Sequence, residues 1–267
     1  MQQHSSEPFN PAPLLENLLA VVLRAGEIVR ENHKKPRTVR HKGKIDLVTE
    51  TDLAVEAFLK AELGALLPEA DFLAEESSSD TEPGRLTWII DPLDGTTNFA
   101  HGLPFVAISV ALWSVDRVVA GVVHLPLLGE TFHAVAGAGA QLNGRAISVS
   151  DTPVLQEAIM ATGFPYATET FLENILKFLG KFLKKTQGIR RPGAAALDLA
   201  YVACGRYDGF YEYALKPWDT AAGILLVREA GGRVSRYDQS APYHLGDVDI
   251  LATNGRIHAE ASKVLLG

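Results

Sequence analysis

The chain has 267 residues, 47% of them hydrophobic and 21% charged, with a net charge of −7. That balance predicts a globular protein with ample core and excludes a nucleic-acid role built on a broadly basic surface. One cysteine, Cys204, excludes an intramolecular disulfide and any multi-thiolate metal site, and fits a reducing compartment.

The first ten residues are polar, with no basic start, and are expected to fray. The apolar run Leu18–Leu23 is short and flanked by Glu16 and Arg24, so neither a signal peptide nor a membrane span is expected. The cytoplasm is the expected location. Leu14, Leu15, Leu18, Leu19, Val22, Ala25 and Val29 mark one face of an amphipathic helix from Pro13 to about Asn32. Residues 33–44 carry six Lys/Arg and two His with a proline and a glycine, and read as a loop or irregular hairpin. They either steer anionic substrates or form a plain solvated loop. A second helix runs to about Leu67, with Val55, Phe58, Leu59, Leu63 and Leu66 inward.

Phe72–Ala74 is a short strand ending in Glu75-Glu76, and Trp88-Ile89-Ile90 is a buried strand ending on Asp91. Phe105–Trp113, Val118–Leu125 and Thr131–Ala136 form an antiparallel meander, followed by a glycine-rich turn over Gly137–Gly144 that lacks GxGxxG spacing. From Ala158 strands and helices alternate. The strands are Ala158–Gly163, one near Ile189, Gly209–Tyr213, Arg233–Tyr237 and Ile250–Thr253. The helices cover about Thr170–Lys185, Ala194–Cys204, Asp219–Ala230 and a last one from Ile257. The pattern is α/β (α+β): helices layered on sheets in two packed halves, an α+β half over about 11–150 and an α/β half over about 151–267.

Four acidic clusters sit at element ends: Asp46/Asp52, Glu75/Glu76, Asp91/Asp94 and Asp219. Each alone has an ordinary structural reading. Thr49-x-x-Asp52 fits a helix N-cap, Glu75-Glu76 a solvated turn, Asp91-Pro92-Leu93-Asp94-Gly95 a turn, and Asp219 a cap for the helix that follows. Together they are harder to treat as ordinary, because crowded carboxylates repel and need a cation to stay ionised. Oxygen-only donors point to Mg²⁺, with Mn²⁺ or Ca²⁺ as alternatives. Pro92 can fix the turn and expose the Leu93 carbonyl, Gly95 permits close backbone approach, and Thr96-Thr97 can start a helix whose free N–H groups hold a phosphate.

These residues carry a resemblance to the inositol monophosphatase family. The motifs are Asp-Leu-Val-Thr-x-Thr-Asp (46–52), Glu-Glu-Ser (75–77), Trp-Ile-Ile-Asp-Pro-Leu-Asp-Gly-Thr-Thr-Asn-Phe (88–99), Arg-Arg-Pro-Gly-Ala-Ala-Ala-Leu-Asp-Leu-Ala (190–200), Pro-Trp-Asp-x-Ala-Ala-Gly (217–223) and Glu-Ala-Gly-Gly (229–232). They occur in the family's order along nearly the whole chain. The resemblance implies a layered α/β/α/β/α sandwich and a lithium-sensitive, Mg²⁺-dependent phosphatase with two or three ions per site. It places Glu75, Asp91 and the Leu93 carbonyl on the first ion, and Asp91, Asp94 and Asp219 on the second. In the family a weaker third ion sits near the position of Glu75, and the resemblance implies the same here. Thr96 paired with Asp52 orients and deprotonates the attacking water, and the Gly95 and Thr96 N–H groups hold the phosphate. The resemblance also implies that Ala195, Glu212, Asp94 and Asp219 contact the alcohol side; Glu76 reads either as a support behind the metal ligands or as a plain exposed acid, and Lys216 is the candidate for tuning substrate choice. Ala74 stands where many members have glycine.

The implied mechanism is in-line displacement by a metal-bound water without a phosphoenzyme. His101 reads as a helix-surface or loop residue. The expected partners are a small phosphate ester and a second copy of the chain, with no nucleic acid and no membrane. Inositol-1-phosphate leads as substrate. Fructose bisphosphate, histidinol phosphate or a nucleotide 3′-phosphate is the alternative, and a non-catalytic, partner-binding regulator is the reading from another class.

Overall fold

The computed structural model describes residues 9–35, 39–41, 47–78, 82–165 and 168–267. The helices are α1 (Leu15–His33), α2 (Glu50–Leu66), α3 (Thr96–Ala100), α4 (Thr168–Lys185), α5 (Ala195–Ala203), α6 (Pro217–Glu229) and α7 (His258–Leu266). The strands are β1 (Val39–His41), β2 (Leu47–Thr49), β3 (Asp71–Ala74), β4 (Leu86–Asp94), β5 (Ala107–Ser114), β6 (Arg117–Leu125) and β7 (Glu130–Val135). They continue with β8 (Ala140–Leu142), β9 (Arg145–Ile147), β10 (Ile159–Thr162), β11 (Gly188–Arg190), β12 (Gly209–Tyr213), β13 (Arg233–Ser235) and β14 (Asp249–Thr253).

β3 to β9 form a seven-stranded sheet in sequential order, parallel only between β3 and β4. A five-stranded mixed sheet has the order β11-β10-β12-β14-β13. α1 and α2 cover one face of the larger sheet, α5 and α6 lie between the two sheets, and α4 and α7 cover the far face of the smaller one. This is the five-layer α/β/α/β/α sandwich. Three cores hold the five layers together. Leu18, Val22, Leu59, Trp88 and Ile90 pack under α1 and α2, and Leu197, Leu226, Ile89 and Phe210 fill the centre. Met160, Phe178, Phe182 and Leu251 lie under α4 and α7. Alternation along β4 explains the split: Trp88 and Ile90 point one way and Ile89 the other.

Three features differ from the sequence reading. Residues 137–144 are more than a turn, because Ala140–Leu142 pairs back on β7 and then with Arg145–Ile147. Leu47–Thr49, to which the sequence assigns no strand, pairs with Val39–His41. β4 does not stop at Asp91 but runs to Asp94, with its register against β5 shifted between the two aspartates. Proline has no N–H for the ladder, so Pro92 is tolerated only at such an irregularity. Asp46 and parts of the basic segment 33–44 lie outside the described residues.

Candidate active site

The shift in β4 is what aims its two aspartates. Asp91 still pairs with Ser109, whereas Asp94 pairs with Ala107, so the strand bends between them. The Asp91 carboxylate accepts the Leu93 N–H at 3.0 Å, which fixes the intervening Pro-Leu. Gly95 follows at φ +87°, and a Cβ there would lie 2.7 Å from the Phe105 carbonyl. Only glycine fits both constraints. Gly95→Ala is therefore expected to cost at least about 1–2 kcal/mol of stability from the left-handed backbone alone. Turnover should fall with it; a thermal melt and a phosphate-release assay check both.

Gly95 is the N-cap of α3, whose first-turn N–H groups have no helical partner. The Thr96 hydroxyl lies 2.9 Å from Asp52 Oδ1 and 3.0 Å from the Leu93 carbonyl. Asp52 sits in the first turn of α2, where Oδ2 accepts the Thr49 N–H at 2.9 Å and also the Thr49 hydroxyl. The capping reading and the site reading of Asp52 both hold, one on each carboxylate oxygen. Burial pushes the Asp52 carboxyl up, opposed by the hydrogen bonds from Thr49 and Thr96.

Glu75 and Glu76 follow β3. The Glu75 N–H donates to the Ile90 carbonyl at 3.2 Å, tying it to β4. The Glu76 N–H donates to the Glu56 carboxylate at 2.8 Å. Glu56 is a buried acid of α2 that sequence reasoning did not single out. On the opposite wall, Asp94 Oδ2 accepts the Ala196 N–H at 2.7 Å from the first turn of α5, and Asp219 accepts the Lys216 N–H at 2.6 Å in the first turn of α6. Helix starts thus hold both carboxylates in place. Asn98 Nδ2 donates to the carbonyls of Phe105 at 2.7 Å and Pro192 at 2.9 Å, joining α3 to the loop before α5.

Glu75, Asp91, Leu93, Asp94, Gly95, Thr96, Ala195, Glu212, Lys216 and Asp219 all line one cavity of about 440 Å³. Asp52 stands behind Thr96, and His101 is exposed past the end of α3. A roomier groove of about 590 Å³ between α4 and α7, lined by Lys181, Lys184, Lys185 and Lys263, has no such set of groups. The carboxylates in the cavity raise one another. Asp91 lies well above the usual range because of burial and then Glu75, Asp94 and Asp219. Burial and Glu75 push Asp94 up to about 7, and burial and Asp94 do the same for Asp219. Among the described residues no three His, Cys, Asp or Glu side chains form a ready-made metal cluster. The donor set, four carboxylates and a carbonyl with no sulfur or imidazole, suits a hard divalent ion.

Glu212, on β12, is buried in the wall of the cavity, and a Cβ at Gly163 would lie 2.1 Å from its Oε2. Burial and Asp219 push its carboxyl well up, while Arg191 pulls it down. Behind it lies Asp198, buried with neither carboxylate oxygen hydrogen-bonded, raised by burial and then Glu212. The sequence showed Asp198 only as part of a run, and only its burial marks it out.

The profile of the inositol monophosphatase family matches residues 10–265. The inositol-1-monophosphatase of Synechocystis is 44% identical over 262 residues, covering 96% of this chain and 91% of that protein. Nus factor SuhB of Escherichia coli (strain K12) is 41% identical over 248 residues, covering 92% of each. Among solved structures, the Thermotoga maritima IMPase superposes with a TM-score of 0.87 at 36% identity, covering 95% of this chain and 96% of that one. The motifs, the five layers and the shared cavity therefore have one source: the chain belongs to the inositol monophosphatase family.

Proposed function

We propose that the chain is a Mg²⁺-dependent phosphomonoesterase whose preferred substrate is inositol-1-phosphate, working as a cytoplasmic homodimer. The observation that supports this best is the cavity itself. Four acidic residues and the first turn of α3 share it with Glu212. Glu75, Asp91, Asp94, Asp219 and the Leu93 carbonyl would hold two or three Mg²⁺ ions, or Mn²⁺ in their place. When bound there, the cations supply the positive charge that phosphoryl transfer to water requires. The Gly95 and Thr96 N–H groups cradle the phosphate oxygens. The Thr96 hydroxyl, held by Asp52, orients the attacking water and passes its proton toward the Asp52 carboxylate. Asp94, Asp219, Glu212 and the Ala195 N–H accept and donate hydrogen bonds on the alcohol side, and Lys216 shapes its entrance. Glu76 and Glu56 support Glu75 from behind.

The test is phosphate release with Mg²⁺ from a panel of inositol-1-phosphate, fructose bisphosphate, histidinol phosphate and adenosine 3′,5′-bisphosphate. The highest kcat/KM is expected for inositol-1-phosphate, with loss of turnover on chelation. No release from any of them removes the enzyme reading; a different leader changes only the substrate. A second reading, a partner-binding role in transcription, takes its support from the similarity to a protein named as a Nus factor. It is compatible with an intact site.

A further inference from the structure

On the far face of the smaller sheet, α4 and α7 bound the groove of about 590 Å³, which shares no lining residue with the active-site cavity. Lys181, Lys184 and Lys185 reach it from α4 and Lys263 from α7, in a chain whose net charge is −7. Among the described residues none of the four is in an ion pair. Glu260 also lines the groove, but its carboxylate accepts the Leu155 N–H at 3.1 Å.

Lysines in the last turn of a helix ordinarily answer its carbonyl end, and Lys184, Lys185 and Lys263 stand in such turns. Magnitude decides how far that explanation reaches. Each helix end carries about half a negative charge, so two ends and Glu260 offset about two of the four lysines. About two positive charges are left over. Crowding points the same way. Lys177, Lys181 and Lys185 follow one another at i, i+4 and i+8, a column of like charges that weakens a helix. Lys181 is pushed below its ordinary value by loss of solvent and then by the like charges of Lys177 and Lys185. Its ammonium is nevertheless held in place between the two helices, donating to the Val264 carbonyl at 3.3 Å.

We propose that this groove binds a small polyphosphate anion, a di- or triphosphate that is free or carried on a nucleotide. Phosphate oxygens are charged acceptors that take up both the surplus positive charge and the unused ammonium donors. A groove of about 590 Å³ has the size of a small-molecule site. A chain of two or three phosphates can meet lysines of both helices at once, where a single phosphate meets fewer. The surroundings select a short anion over a long one. Glu173 stands further up α4, Glu157 lies close to Leu155, and the chain as a whole is acidic. A polyanion running beyond the lysines meets that negative surface and is repelled.

The test is calorimetric titration of the full chain with orthophosphate, pyrophosphate, triphosphate and ATP. EDTA is present throughout, so that no metal carries anions into the acidic active site. Affinity is expected to rise from orthophosphate to triphosphate and to fall as salt is added. Lys184→Gln, Lys185→Gln and Lys263→Gln should each weaken triphosphate about 3-fold, and the three together about 30-fold. These side chains are exposed and their removal relieves like-charge repulsion, so no variant should melt below the wild type. Triphosphate should raise the melting temperature of the wild type and not that of the triple variant. ATP bound more tightly than triphosphate identifies a nucleotide as the source, and equal binding the phosphate chain alone; both support the site. No binding at millimolar concentration, binding unchanged in the triple variant, or orthophosphate held as tightly as triphosphate overturns it. So does an RNA or an anionic vesicle that binds through these lysines and is not displaced by triphosphate.

Discussion

Asp94→Asn and Asp219→Asn are each expected to lower turnover by about three orders of magnitude or more while leaving the fold intact. Asparagine keeps the shape and an oxygen for the backbone N–H groups that hold these side chains, Ala196 at 2.7 Å and Lys216 at 2.6 Å. It removes the charge. A cage of four carboxylates that loses one attracts a divalent ion less and positions it worse. Stability is expected to move the other way in chelator. Folded Asp94 and Asp219 hold their protons to about 7, whereas unfolded aspartates release them near 4. The folded chain therefore binds more protons in that window, and its metal-free stability falls as pH rises from about 4 through about 7. Removing one acid removes part of that fall. Above about pH 8 in chelator, each variant should melt no lower than the wild type, and adding Mg²⁺ should raise the wild type more. Near-normal phosphate release from either variant would remove these residues from the metal cage.

The second large effect separates the two tasks of Asp52. Asp52→Asn retains an acceptor for the Thr49 N–H and should keep the cap of α2. Asp52→Ala loses it, at about 1 kcal/mol. Both should lose the proton acceptor behind Thr96, with turnover down by about 10²–10⁴-fold. Thr96→Val should match them, since it removes the hydroxyl that lies 2.9 Å from Asp52. Because the three changes break one relay, combining Asp52→Asn with Thr96→Val should cost little more than either alone. Independent, multiplying losses would show that the pair does not act as a unit. Kinetics across the set, with a melt for each variant, distinguishes these outcomes.

How much of this was legible before folding depends on the range of the contact. The helix spans, the strand meander and the alternation after Ala158 follow from local periodicity, and they are present within a few residues of the expected bounds. The β8–β9 hairpin looks like a turn in the sequence because its strands have three residues each, too short for alternation to register. Glu56, Asn98 and Asp198 were missed for another reason. Each is an ordinary polar residue in its local context, and its meaning comes from burial and distant partners. Asn98 reaches Pro192, 94 residues away.

The amino-acid sequence by itself determined the family, the layered fold and the list of acids that can hold a cation. Those properties reside in residue identity, order and short-range periodicity. Only the tertiary structure decided that β4 runs on through Pro92 with a shifted register, and that Asp52 serves Thr49 with one oxygen and Thr96 with the other. It also decided that the starts of α5 and α6 anchor Asp94 and Asp219. The physical reason is that burial and mutual charge, which make these carboxyls hard to ionise, arise only when segments far apart in the chain are packed around one cavity.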